Sequence, residues 1–329
     1  MPALRLTVFG SGSVGLAVAA NFALVGVDVT VLARGEVIEL LRRDGIKVTG
    51  ACGDHTVAPG MLTISDANDP SAASLDCDVL ITATKAYQVG EVLTHLAAKM
   101  QGAVAPRAVL LLQNGWGSAD EARAILPATV DVFSSIMMIG IERRTPTHVH
   151  INVQASPVRI GTLFSCPSER MKAVVDRSVG GFLPVTYEDN IEPAILNKFL
   201  FNTCLNAVGA LTAMTYGELV RNQHTRQLIT QIADETIRVI ASDRRLKLAE
   251  DGAQYVVQTL TPFVLPKAAS HRSSMLQDVE AGRRTEIDYL NGAVARIGKL
   301  RGIATPFNEA ITSLVRARET DTAPAWPDR

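Results

Sequence analysis

Three observations predict an α/β chain: a doubly wound, mostly parallel sheet followed by an all-helical domain. Short apolar strands alternate with helical stretches in the first half. A glycine-rich turn joins the first strand to the first helix. Helical patterning runs nearly unbroken after about Asp189. The expected boundary lies near Tyr187–Ile191, which gives domains 1–189 and 190–329. Residues 4–9 read as a buried strand, residues 14–25 as a helix of small and apolar residues, and residues 27–32 as a second strand, so the unit is βαβ with a right-handed crossover. Residues 45–49 and 56–59 suit a small hairpin. Residues 77–84 form another strand, residues 88–100 a helix, and residues 108–113 a further strand ending at Asn114-Gly-Trp-Gly117. The segments Val149-His-Ile-Asn-Val and Val158-Arg-Ile-Gly-Thr are expected as antiparallel strands added at the sheet edge. The tail 320–329 is expected to fray.

The composition narrows the function. The chain has 329 residues, enough for one or two domains with a substantial core. Its net charge of −1 argues against nonspecific attraction to nucleic acid or to an anionic membrane. Cys52, Cys77, Cys166 and Cys204 lie far apart, so neither a disulfide framework nor a metal site is expected, and free thiols suit a reducing cytoplasm. His148 and His150 alone are too few for a metal centre. No secretory signal is evident, and the apolar stretch around Asn21 is too short to span a bilayer. A cytoplasmic protein with neither nucleic-acid nor membrane partners is expected. A homodimer through the helical domain is compatible with the sequence.

The turn Gly10, Ser11, Gly12, Ser13, Val14, Gly15 is a GxGxxG sequence that follows a strand and opens a helix. That context makes it a Rossmann-type dinucleotide cradle: a tight turn, close backbone approach to a pyrophosphate, and close helix–strand packing. An NAD site usually carries an acid at the end of the second strand. Here Arg34 stands just past it, where it can pair with a 2′-phosphate, so NADP(H) is preferred. Glu36 keeps NAD in play. Lys85 and Asn114 each follow the end of a strand, the side of such sheets where ligands bind. Lys85 suits cofactor phosphate, ribose or a substrate carboxylate, and Asn114 suits the ribose near the nicotinamide.

In the helical half, Lys198, Asn202 and Asn206 recur at four-residue spacing within an apolar run and so share one helix face. An ammonium beside two carboxamides can hold a small oxygen-rich molecule and give it a proton. Hydride transfer to a ketone needs such an acid. Ser273, Ser274 and Thr285 are candidate helix caps. Glu286 is expected on a helix face with Tyr289 and Leu290, placed to orient Lys198 or to accept a hydrogen bond from a substrate hydroxyl.

The segments GSGSVG, TKAYQ, QNG, NKFLFNTCLNA, SSMLQD and RRTEIDYLNG occur in this order along the chain. Over nearly its whole length the sequence resembles the ketopantoate reductase (2-dehydropantoate 2-reductase) family. The resemblance implies a Rossmann domain, a helical domain and a site in the cleft between them. It also implies NADPH-dependent reduction of 2-dehydropantoate to pantoate, a step towards pantothenate and coenzyme A. By motif match it makes Lys198 the general acid and Glu286 its partner at the cofactor–substrate junction. Asn202, Asn206 and Ser274 become substrate contacts, and Asn114 and Lys85 cofactor or substrate contacts. The chain departs from some members in carrying Tyr216, where they have Asn, before Gly217-Glu218-Leu219. The family is also similar to D-2-hydroxyacid dehydrogenases acting on branched or aromatic 2-oxo acids, which leaves such an enzyme as one alternative and a catalytically silent NADP(H)-binding sensor as another.

Overall fold

The computed structural model describes residues 4–100 and 105–320. They form two compact units, 1–113 with 118–192, and 114–117 with 193–329. All the strands among the described residues lie in the first unit. In chain order they are β1 (Arg5–Phe9), β2 (Asp28–Ala33), β3 (Ile46–Gly50), β4 (His55–Val57), β5 (Thr63–Asp66), β6 (Val79–Thr82), β7 (Ala108–Leu111), β8 (Asp131–Ile136), β9 (Ile139–Thr145), β10 (His148–Gln154), β11 (Val158–Gly161) and β12 (Val185–Tyr187).

Eight of them form one sheet in the order β12-β11-β8-β7-β6-β1-β2-β5. From β5 to β8 every pairing is parallel. Parallel strands buried on both faces need near-continuous apolar sequence, and β1, β2, β6 and β7 provide it. Alternation sends Leu6, Val8, Val29, Val31, Val79 and Ile81 into one core. It sends Phe9, Leu32, Leu80, Val109 and Leu111 into the other. The helix Ser13–Leu24 packs into the first core and the helices Val89–Lys99 and Ser118–Ile125 into the second, so the sheet is doubly wound as expected. The strand order reverses at β1 and β6, and the carboxyl ends of these two strands flank the crevice where such sheets bind ligands.

The strands after β8 differ from expectation. β11 does join the sheet, antiparallel to β8, but β12 covers its other side. β10 does not join this sheet. It pairs antiparallel with β9 and parallel with β3, and β3 pairs with β4, giving a second sheet in the order β4-β3-β10-β9. The expected hairpin of β3 and β4 is present within it. The two segments carry similar apolar alternation, and that alternation does not encode a partner. Val149 and Ile151 of β10 are fully buried in one core with Ile46 and Val48 of β3.

Among the described residues the second unit contains helices and turns and no strand. Its long helix Glu192–Thr212 has the length and composition of a membrane span, yet 67% of its most apolar window is buried. It carries Lys198, Asn202 and Asn206. Glu235, 2% exposed, closes the N-terminus of the helix Pro306–Thr320. Its carboxylate accepts the N–H groups of Phe307 and Asn308, both at 3.0 Å, and Asn308 Nδ2 at 2.7 Å. Asn308 Oδ1 in turn accepts Asn291 Nδ2, which also donates to the Thr203 carbonyl of the long helix. Removing this carboxylate takes the acceptor from two buried donors of Asn308 and from the partly buried Phe307 N–H. Glu235→Ala is expected to cost about 3 kcal/mol in urea unfolding, and a cost below about 1 kcal/mol would mean that water replaces the cap.

Candidate active site

In the first unit the glycine turn leaves β1 directly. Gly10 has φ +117°, and a Cβ there would meet the Ala83 carbonyl at 3.0 Å. A Cβ on Gly15 would lie 1.9 Å from the Gly10 carbonyl oxygen, so that position is fixed by packing. Gly12 is different. It ends the turn at the helix N-terminus, and a Cβ there would meet nothing of the protein nearer than 4.0 Å. No side chain caps the helix Ser13–Leu24, so its first N–H groups remain available to an anion. Ser11, Ser13 and Val14 are half-buried in this turn.

Beyond β6, the Thr84 hydroxyl is buried and lacks a hydrogen-bond partner among the described residues. Gln113 bonds to the Thr82 and Thr84 carbonyls and accepts the Thr82 hydroxyl, tying the ends of β6 and β7 together. Arg34 is exposed, with its guanidinium 5.8 Å from the centre of the Phe9 ring. Lys85 is half-buried at the start of the 3₁₀ turn Ala86–Gln88. The room for a Cβ at Gly12, the uncapped helix and the orphaned Thr84 hydroxyl fit a bound dinucleotide phosphate.

In the second unit, three residues distant in sequence converge. Lys198 Nζ donates to Asn114 Oδ1 at 2.8 Å, and Asn114 Nδ2 donates to Glu286 Oε2 at 3.3 Å. The carboxamide thus lies with its oxygen towards the cation and its N–H towards the anion. Asn114 is held by its turn. Trp116 N–H donates to the Tyr289 carbonyl at 2.9 Å, and the Trp116 ring meets Phe199 edge-on at 5.3 Å, with the Arg244 guanidinium over it at 5.3 Å. Gly115, at φ +96°, lies so close to Tyr289 that a Cβ would be 2.4 Å from its carbonyl oxygen.

This contact corrects the expected helix at Glu286. Glu286 precedes a short 3₁₀ turn, Ile287–Tyr289, and the regular helix begins only at Asn291. The Tyr289 carbonyl serves Trp116 instead of a helical N–H four residues on, and the chain breaks at Leu290.

Asn202 and Asn206 are 6% and 4% exposed on the Lys198 helix. The Asn202 carboxamide has no hydrogen-bond partner among the described residues. Asn206 Oδ1 accepts the Tyr216 hydroxyl at 2.7 Å. Ser273 is the buried cap of the helix Ser274–Glu280, and its hydroxyl bonds to the Asn206 carbonyl. Ser274 is exposed at the first position of that helix. Sequence reasoning passed over Trp116 and Thr84. Their only signals are a tryptophan between two glycines and a hydroxyl at a strand end.

Fold and residues together define a Rossmann-type chain with a helical second unit that carries a lysine–amide–carboxylate line. The sequence model of ketopantoate reductase PanE/ApbA matches residues 6–163, and that of its C-terminal domain matches residues 190–319. The chain belongs to this family. It is 29% identical over 318 residues to the 2-dehydropantoate 2-reductase of Aquifex aeolicus, covering 96% of this chain and 97% of that one. Among solved structures, a PanE/ApbA family ketopantoate reductase from Ralstonia eutropha superposes with a TM-score of 0.80 at 25% identity, over 96% of this chain and 98% of the other. D-mandelate dehydrogenase in complex with NADH and anilino(oxo)acetate has a TM-score of 0.83 at 23% identity, over 96% and 98%, a likeness of fold.

The two glycines should respond differently to a methyl group. Gly12→Ala is expected to keep the thermal midpoint within about 2 °C while weakening NADPH binding ~10-fold or more, because only the ligand meets the new Cβ. Gly15→Ala should destabilise the protein by about 1–3 kcal/mol with or without cofactor. Calorimetry and fluorescence titration separate the two. Equal loss of stability in both variants would mean that Gly12 also serves packing.

Proposed function

We propose that the protein reduces 2-dehydropantoate to (R)-pantoate with NADPH in the cytoplasm, and that residues 1–189 hold the cofactor and residues 190–329 the substrate. The observation that carries this reading is the Lys198–Asn114–Glu286 line, in a chain whose family and curated relatives are ketopantoate reductases.

The loop from Gly10 to Gly15 takes the pyrophosphate on backbone N–H groups, and Arg34 pairs with the 2′-phosphate. Lys85 and Thr84 stand at the same strand ends as further cofactor contacts. When bound, the dihydronicotinamide supplies hydride to C2 of the 2-oxo acid. Lys198 donates a proton to the C2 oxygen as negative charge develops there. Asn114 holds the ammonium through its amide oxygen. Glu286 fixes the amide so that its oxygen, not its nitrogen, faces Lys198. Asn202, Asn206 and Ser274 bind the carboxylate and hydroxyl of the substrate.

The test is NADPH consumption with 2-dehydropantoate, 2-oxoisovalerate, phenylpyruvate and benzoylformate in parallel. Preference for 2-dehydropantoate is expected. Preference for another acid would make the protein a D-2-hydroxyacid dehydrogenase with the same lysine chemistry, and silence with all four despite NADPH binding would make it a sensor. Lys198→Met should lower kcat ~100-fold or more with NADPH affinity unchanged, and full turnover by this variant would overturn the role of the lysine. Arg34→Ser should reduce the preference for NADPH over NADH ~10-fold, measured as the ratio of kcat/KM for the two cofactors. An unchanged ratio would place the 2′-phosphate elsewhere.

A further inference from the structure

Resting on the reading above, we propose that Tyr216 is a specificity-determining positioning residue. Its phenol locks the Asn206 carboxamide so that N–H donors face the terminal hydroxyl of the substrate.

A buried asparagine side chain can present either an oxygen or an NH₂ group, because turning the amide over exchanges them with little change in shape. A partner that engages the oxygen end leaves the nitrogen end to offer its N–H groups. The Tyr216 hydroxyl donates to Asn206 Oδ1 at 2.7 Å, and Asn206 Nδ2 has no partner among the described residues. The carboxamide oxygen is therefore engaged and both amide protons remain to be used.

The phenol is well fixed for this task. Tyr216 opens the short helix Tyr216–Arg221, which is capped by Thr215, whose hydroxyl accepts the Glu218 N–H while Glu218 bonds back to the Thr215 N–H. The Tyr216 and Gly217 N–H groups donate to the carbonyls of His271 and Ala269. The ring meets Phe201 edge-on at 5.6 Å and His271 at 5.0 Å. Tyr216 is 4% exposed, and burial pushes its phenol well above the ordinary range, so it remains a donor throughout the working pH range. Asn206 is pinned as well: its own carbonyl accepts the buried Ser273 hydroxyl at 3.2 Å.

Position completes the assignment. Lys198 serves the oxygen on C2, next to the carboxylate. Asn206 lies two helical turns along the same face, and we pair its N–H donors with the hydroxyl end of the substrate. In 2-dehydropantoate that end is a hydroxyl, whose oxygen accepts from an N–H donor. An analogue lacking the hydroxyl leaves that buried donor unpaired, which is how a polar site rejects a merely smaller substrate.

The experiment compares the wild type with Tyr216→Phe, Asn206→Asp and the double variant on 2-dehydropantoate and on 2-oxoisovalerate, which lacks the hydroxymethyl group. Tyr216→Phe keeps the ring and removes one oxygen. It is expected to raise KM for 2-dehydropantoate ~10-fold with kcat within ~2-fold, and to leave 2-oxoisovalerate within ~2-fold, so that the preference falls ~10-fold. Asn206→Asp keeps the acceptor for the phenol but deletes both N–H donors. It should lower the preference equally, and the double variant should lower it no further. If Tyr216→Phe does not fold, as judged by circular dichroism and NADPH binding, Asn206→Asp decides alone: an unchanged preference overturns the proposal. Equal losses on the two acids in Tyr216→Phe would reduce Tyr216 to a packing residue. Faster turnover of 2-dehydropantoate would mean that the phenol competes with substrate for the amide. Either result overturns the proposal. A wild type that turns over 2-dehydropantoate alongside an indifferent Tyr216→Phe sinks only the role of the tyrosine. A wild type inert towards 2-dehydropantoate sinks the function with it.

Discussion

Asn114 joins an ammonium and a carboxylate of one helical unit through the two ends of its side-chain amide. Its amide oxygen faces Lys198 and its amide nitrogen faces Glu286. The carboxamide dipole lies along the line between the two charges, and reversing the amide would set like polarity against each of them. Much of the surrounding packing serves this one orientation. Gly115 permits a backbone approach that a side chain would block, Trp116 wedges against Phe199 beside Lys198, and the chain at Leu290 gives up helical regularity so that Tyr289 can receive the Trp116 N–H.

A second constraint governs the first unit. Gly10, Gly12 and Gly15 look alike in the sequence and are required for different reasons. Gly10 needs a left-handed backbone and room against Ala83, Gly15 needs room against Gly10, and Gly12 alone of the three has no neighbour nearer than 4.0 Å to a Cβ. Two of the three glycines are therefore required by the fold itself, and the third is not. A fingerprint read as a unit hides that division.

What was legible in the sequence follows from the range of the forces involved. The βαβ start, the parallel strands and the long helix announce themselves through local periodicity. The spacing of Lys198, Asn202 and Asn206 revealed a shared face because a helix repeats on the scale of that spacing. The partner of β10 was not legible, because its alternation suits either sheet and the choice depends on β3, far away in sequence. The break before Asn291 was hidden for the same reason: the N–H that takes the Tyr289 carbonyl comes from Trp116. Asn114 illustrates both sides. Its place after a strand marked it as a ligand contact, but its bonds to Lys198 and Glu286 join residues that no local pattern connects.

Asn114 and Asn206 show one device used twice. A carboxamide is ambiguous by itself, and a buried partner removes the ambiguity. Glu286 draws the N–H of Asn114 and leaves its oxygen to the lysine, whereas Tyr216 draws the oxygen of Asn206 and leaves its N–H groups. The two amides therefore differ in polarity although the residue is the same. The first turns its oxygen to the Lys198 ammonium, and the second gives its oxygen to the Tyr216 phenol. This is also why exchanging the neighbour of an asparagine can alter recognition more than the size of the change suggests. Tyr216, ahead of Gly217, meets Asn206 through a single hydroxyl on a rigid ring. The polarity of Asn206 then depends on where that ring is anchored, and Phe201, His271 and the Thr215 cap anchor it firmly.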